Sequence, residues 1–419
     1  MNDPWTTLPL GPSAPVAELL LAGTAIRIEL PPSKHDLAVA RYEALRKQIE
    51  RTGSPLCGLV TIFYPQGSMA IRATISSRKR SEGFDIDIIA ELKLPHSTKP
   101  AEVLDLLFTA IKGVPGSQYH DMVERQTRCV TVNYADGMHL DITPTLLRDE
   151  CTPRLSHLFH AKPEEPPANH RALLMNSFAF CAWFNGKMAI DIEFAEAYSA
   201  HSKEFFARDA DVVQVPEHST KEGGKSAAVI ALQLLKRNRN LRYAKRTGCR
   251  MPPSVMMAKI AGETTVPPAS ISGALNAITN ALLKALETAE QGDVLIDVRN
   301  PTCEEDKFTD RWPENRDAQR LYIRDLKEFR KQLEALLSEA FMLDQKQDLL
   351  VEMFGEGPAK STVEEFVESI GKAVKSGDRT FNQIGRVIPF AVTAAPALVK
   401  AAPAQPPKHT FFGSKWKKP

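Results

Sequence analysis

The chain carries almost no net charge. Its 53 Lys and Arg against 51 Asp and Glu leave a formal +2 over 419 residues. No global basic field is there to hold a nucleic-acid backbone, so any phosphate binding has to come from local clusters. Cysteines are few and scattered: Cys57, Cys129, Cys151, Cys181, Cys249 and Cys303 contain no C-x-x-C pair. That spacing excludes a zinc ribbon and fits reduced thiols in a cytoplasmic protein. Long apolar runs are missing too. The stretch near Val387–Val399 is short and broken by Pro389 and Pro396, which excludes a membrane span there. Met1-Asn2-Asp3-Pro4 has no basic segment ahead of an apolar core, so no secretory signal is expected. No internal repeat is evident. What is present is ordinary for a globular protein, with 43% hydrophobic and 25% charged residues. The length suffices for two domains with sizeable cores.

The stretch with most chemistry in it is Gln66-Gly67-Ser68, followed by Phe84-Asp85-Ile86-Asp87-Ile88-Ile89. Leu59–Tyr64 is β-branched and aromatic and predicts a strand leading into the Gly-Ser turn. Side chains alternate along a strand, so Asp85 and Asp87 share one face and Ile86 and Ile88 the other. Two neighbouring carboxylates repel each other and resist desolvation, and a divalent cation relieves both. A hard cation such as Mg2+ takes oxygen ligands and shares them with substrate phosphates. Glycine lets the backbone approach a phosphate, to which amides and a serine hydroxyl can donate. A third acid, Asp141, follows in Met138–Pro144, the return strand after the Asp136-Gly137 hairpin turn. Three carboxylates on neighbouring strands can hold two metal ions. Asp85 and Asp87 would bridge the metals, and Asp141 would serve the one that activates an acceptor hydroxyl. Gly67 and Ser68 would hold the donor's β- and γ-phosphates.

Elsewhere, Ser33 is the expected N-cap of a helix over Lys34–Arg51, and a strand is expected over Arg128–Tyr134. An arm or short helix is expected around Ala17–Leu21, and a linker from Pro153 to Asn169. Beyond it the apolar period changes to 3.6, predicting helices over Arg171–Trp183, Ile190–Phe206, Ser226–Arg239, Ile271–Glu290, Asp317–Phe341 and Val363–Lys375. Lys225 and Lys236, about three helical turns apart, are read as sharing a face and offering phosphate contacts. Arg299–Trp312 reads as a polar connector, with Trp312 in the core and His139 making a structural hydrogen bond. The Ala- and Pro-rich tail from Ile388 is expected to be flexible.

These residues resemble the DNA polymerase β-type nucleotidyltransferases, and within them the bacterial CD-NTases, the cGAS/DncV-like enzymes of CBASS antiphage systems. The resemblance rests on Gln66-Gly67-Ser68, Phe84–Asp87, Leu140–Pro144, Leu234–Arg239, Pro252-Pro253-Ser254 and Asn300-Pro301 through Phe308–Trp312. It implies an α+β fold, a polymerase β-like core of mixed sheet and helices joined to a mainly α-helical C-terminal lobe. The corresponding division is an N-terminal arm over 1–32, the core over 33–160, the helical lobe over 161–385 and the tail over 386–419. In such enzymes a lysine of the "LLKR" helix contacts the donor triphosphate, which ranks Lys236 above Lys225. The implied activity is two-metal synthesis of a cyclic di- or trinucleotide from NTPs, ATP among them, with Mg2+ as cofactor and Mn2+ as its substitute. The implied partners are an effector reached through the product, and a HORMA-type activator or an E1/E2-like conjugating enzyme. The zinc insertion of animal cGAS is not seen. The alternative acceptor is a linear oligonucleotide or an RNA end, and a third reading is a nucleotide sensor with a degenerate site.

Overall fold

The structure is a computed structural model that describes residues 16–76, 84–148, 151–209, 224–264, 270–376, 379–381 and 387–389. Helix α1 (Val16–Ile28) is apolar nearly all round, and every residue after Val16 is buried. A helix with no polar face has to be wrapped by others. The arm expected around Ala17–Leu21 is therefore a full helix inside the larger hydrophobic core, with Leu20, Leu21 and Ile26 inaccessible to solvent. Its two charged ends are tied down. Glu18 accepts from the amides of Ile271 and Ser272, both at 3.0 Å. Arg27 pairs with Glu365.

Helix α2 (Pro32–Glu50) begins two residues before the expected start and without a side-chain cap. Pro32 explains this. Its ring presets a helical φ, and the amide it lacks is one that a first turn cannot satisfy anyway. Ala38, Leu45 and Ile49 face the second core. Strand β1 (Val60–Pro65) leads into the single turn α3 (Gly67–Ala70), then β2 (Phe84–Leu92) and helix α4 (Pro100–Lys112). The sheet continues through β3 (Val123–Arg125), β4 (Val130–Asn133), β5 (Met138–Leu147), β6 (Ser156–His160) and β7 (Arg171–Met175). Its path runs β1-β2-β5-β4-β3, with β6 also pairing β5, and β7 pairing β6. Among the described strands only β2 and β5 run parallel. The later half of β2 is buried without alternation, as expected of a strand covered on both faces.

Two expectations fail beside this sheet. The segment read as a linker from Pro153 contains β6, and the predicted helix at Arg171 begins as β7. Ser-His-Leu-Phe-His and Arg-Ala-Leu-Leu-Met are five-residue stretches, too short for periodicity to separate strand from helix. The helix itself, α5 (Ser177–Lys187), starts only after Asn176, whose side chain accepts from the Ala179 amide.

The helical portion follows with α6 (Ile192–Asp209), α7 (Ala227–Ala244), α8 (Ser254–Glu263) and α9 (Ile271–Gln291). A hairpin of β8 (Arg299–Asn300) and β9 (Cys303–Lys307) precedes α10 (Arg316–Leu337), α11 (Leu343–Phe354) and α12 (Glu356–Ser376). Helices α8 and α11 go beyond those anticipated. Val387–Pro389, at the start of the expected flexible tail, pairs with Arg379–Phe381, and the rest of that tail lies outside the described residues. No helix among the described residues is long and apolar enough to cross a membrane.

Candidate active site

The cleft between the sheet and the helical portion encloses about 620 Å³, and its walls include Gln66, Gly67, Ser68, Asp85, Asp87 and Lys236. Gln66 is extended, and its amide donates to the Asp87 carbonyl at 2.8 Å, which locks the turn to β2. Gly67 then takes a φ of +59°, and a Cβ there would lie 2.4 Å from the Asp87 carboxylate. Both the left-handed backbone and the close approach require glycine. The predicted Gly-Ser turn thus presses directly against the second acid. Downstream, the Ala73 amide donates to the Ser68 carbonyl at 2.8 Å, closing the loop behind the serine.

The parallel register sets Asp85 opposite His139 and Asp87 opposite Asp141, so the three acids share one face of β2 and β5. Asp141 accepts from the Thr131 hydroxyl at 2.5 Å. Asp85 and Asp87 have no hydrogen-bonding or ion-pairing side chain among the described residues. The energetic consequence is marked at Asp87. Burial, then the Asp141 and Asp85 charges, push its carboxyl up to about 7, against a smaller opposing pull from Lys236. Asp141 is raised as well, chiefly by burial, with the Thr131 hydroxyl opposing. Among the described residues no group of three Asp, Glu, His or Cys is gathered ready to hold a metal. The acids share a face and repel one another rather than converging. Uncompensated, oxygen-only and adjacent, they nonetheless have the chemistry that hard divalent cations need, and such cations would remove the repulsion.

Lys236 reaches this cleft from α7. It is 5% exposed, and its ammonium donates to the Ala73 carbonyl at 2.7 Å. Burial, then the Arg239 charge, pull it down to about 7, while Asp87 and Asp85 act the other way. One turn earlier Gln233 donates to the Thr74 carbonyl at 2.8 Å. Together they fix the loop that follows Ser68.

Lys225 is not brought to the cleft. The helix does not include it: Ser226 is the N-cap, accepting from the Val229 amide at 3.3 Å, so the shared-face argument fails. Its ammonium instead pairs with Glu29 at 2.7 Å. His139 bonds Asn133 at 2.7 Å. Trp312 is 1% exposed, in the core yet also part of the cleft wall.

Sequence reasoning missed the far wall, where Arg128, Arg250, Asp306, Phe308 and Arg311 face the same space. Arg128, two residues before β4, pairs with Asp310 and so joins the sheet to the helical portion across the cleft. The signal was the acid-, aromatic- and arginine-rich stretch after Asn300-Pro301, read as a connector.

Residues 24–155 match the Second Messenger Oligonucleotide or Dinucleotide Synthetase domain. The chain is 39% identical to the cyclic dinucleotide synthase CdnG of Bradyrhizobium diazoefficiens, over 97% of each chain. The solved structure of that CD-NTase in complex with GTP covers 82% of this chain and 97% of its own, with a TM-score of 0.70. A c-di-GMP synthase of Roseivirga ehrenbergii is 23% identical over 94% of this chain and 96% of its own. The fold alone is also shared with E. coli CdnC, solved with a HORMA protein, at 15% identity and a TM-score of 0.51 over 78% and 93%.

Proposed function

The chain belongs to the CD-NTases, nucleotidyltransferases built on a polymerase β-like core with a helical lobe, and from that premise we propose that it joins two NTPs, GTP among them, into a cyclic dinucleotide second messenger. Each of two successive transfers forms a bond from a ribose hydroxyl to an α-phosphorus and breaks the bond to departing pyrophosphate. The observation that carries this reading is the uncompensated carboxylate face set directly against the Gly67 turn.

In this reading Asp85, Asp87 and Asp141 hold two divalent cations, Mg2+ or its substitute Mn2+. When bound, these activate the acceptor hydroxyl and neutralise the leaving pyrophosphate. The chain's own residues do the positioning. Gly67 admits the donor triphosphate close to the backbone, and Ser68 offers it a hydroxyl. Lys236 gives the loop behind Ser68 its shape through Ala73, and its ammonium adds positive charge at the triphosphate end. The cleft keeps the reacting groups in line, where positioning and charge stabilisation supply most of the acceleration. Lys225, held by Glu29, is the weakest of the proposed nucleotide contacts.

The proposed architecture is the core over 33–160 and the lobe over 161–385, with α1 packed into the lobe. The proposed setting is antiphage signalling in the cytoplasm, the product acting on a separate effector. A HORMA-type activator and an E1/E2-like enzyme are the regulatory partners to test. Incubation with all four labelled NTPs and Mg2+ tests the activity itself. A phosphatase-resistant product containing guanosine is expected. Its absence, with and without such partners, would sink the reading.

A further inference from the structure

Asp306 sits in the far wall of the cleft, in the same cavity as Gly67 and Asp87. It is half-buried and oriented by two donors that converge on one oxygen. Its Oδ2 accepts from the Asn300 side-chain amide at 2.9 Å and from the Asn176 backbone amide at 3.3 Å. Both partners are themselves fixed. Asn300 and Asn176 are 2% and 1% exposed, and the Asn300 amide also donates to the Asn176 carbonyl at 3.1 Å. The carboxylate is therefore held in one orientation by rigid, buried neighbours.

Its other oxygen, Oδ1, has no protein donor among the described residues. Nor does any cation form an ion pair with it among the described residues. Arg128, whose charge acts on the Asp306 carboxyl, is itself committed to Asp310 and to His160 Nδ1, the latter at 3.1 Å. A fixed anion facing a cleft that takes nucleotides needs a partner that donates hydrogen bonds. Triphosphates do not, and nucleobases differ sharply in this respect. The Watson–Crick edge of guanine presents adjacent N1–H and 2-amino donors, whereas adenine sets an acceptor beside its one amine. The aromatic ring of Phe308 lies in the same wall, edge-on to Phe180 with centroids 4.9 Å apart. It gives a base an apolar surface two residues from the carboxylate.

We propose that Asp306 selects guanine at one of the two nucleotide positions, its Oδ1 accepting from the N1–H and 2-amino donors. The assignment deepens the synthase reading and rests on it for the presence of a nucleotide. A site built to pair with a donor rejects the analogue that lacks it, because its own polar group is left unpaired. The carboxylate is charged, so the discrimination is expected to be about tenfold or more per lost donor.

The test is equilibrium binding of non-hydrolysable α,β-methylene analogues of GTP, ITP and ATP to the full chain, which removes turnover from the readout. Inosine differs from guanosine by the 2-amino group alone. The wild-type chain is expected to bind the GTP analogue about tenfold tighter than the ITP analogue. In Asp306→Asn, which keeps an acceptor for Asn300, that ratio is expected to fall to within about twofold. Equal binding of the GTP and ITP analogues by the wild type overturns the proposal and needs no variant. So does an Asp306→Asn chain that weakens all three analogues by the same factor, the signature of a ribose contact. A chain that discriminates between the analogues yet makes no cyclic product sinks the synthase reading and leaves Asp306 assigned. Cyclic product without discrimination does the reverse.

Discussion

Two acids in this molecule, one buried and one half-buried, live in opposite surroundings. Asp325, on α10, is 6% exposed and receives a bidentate pair from Arg246 at 2.6 and 2.7 Å, with Arg242 at 3.7 Å. Asp87, on β2, receives no ion pair among the described residues and faces two more acids. The first arrangement is what folding alone would select, since a buried charge is costly unless paired. The second raises the free energy of the empty protein. It makes sense as a place whose missing charge arrives with a ligand. The contrast separates residues that hold the helical lobe together from residues proposed to act.

The comparison breaks most visibly through activity. Asp85→Asn or Asp87→Asn is expected to lower cyclic product formation by at least ~10³-fold while the circular dichroism spectrum stays that of the wild type. Retained synthesis in either variant removes the acid from the site. Asp325→Ala should show the reverse pattern. Removing one partner of a buried pair leaves the arginines stranded, so unfolding should become easier by about 3 kcal/mol in a denaturant titration. Product formation per folded molecule should barely change.

Gly67→Ala sharpens the contrast in the middle of the range. The added methyl would meet the Asp87 carboxylate at 2.4 Å and strain a positive φ. Turnover should fall by about 10²-fold, because a displacement of about 1 Å in a positioned site costs that much. The smallest effect belongs to the metal-free protein and depends on pH. The folded pKa of Asp87 is raised to about 7 from 3.8, so the native state binds the proton more tightly than the unfolded chain. Its contribution to stability is present below about pH 4 and is lost as pH rises toward about 7. Asp87→Asn removes that loss. The variant should be more stable than the wild type at pH 8, and no more stable at pH 4. Equal stabilities at pH 8 would deny the electrostatic burden.

The carboxylate face was legible in the sequence because it depends on local rules. Alternation along a strand joins Asp85 to Asp87, and the hairpin at Asp136-Gly137 returns Asp141 to the sheet. The Gly67 turn was legible for the same reason. What local rules could not supply was register and distance. That Asp87 pairs with Asp141, and not with a neighbour, follows from how β2 and β5 slide against each other. Lys225 shows the limit from the other side. Its spacing from Lys236 suggested a shared face, but Ser226 is the cap and the helix starts only at Ala227, two residues beyond Lys225. The far wall was illegible because Asp306 gains its meaning only from Asn300 and Asn176, and Asn176 lies 130 positions away. Helix α1 was underestimated because an apolar run has no amphipathic period to announce it, and its partners are helices far along the chain.

The claim that the β2–β5 face is charge awaiting a cation is tested most directly by thermal unfolding at pH 8, with and without Mg2+, in the wild type and in Asp87→Asn. Mg2+ is expected to raise the wild-type midpoint by several times more than the variant's, and by less at pH 5, where protons already neutralise Asp87. An equal Mg2+ effect on both proteins at both pH values would contradict the account.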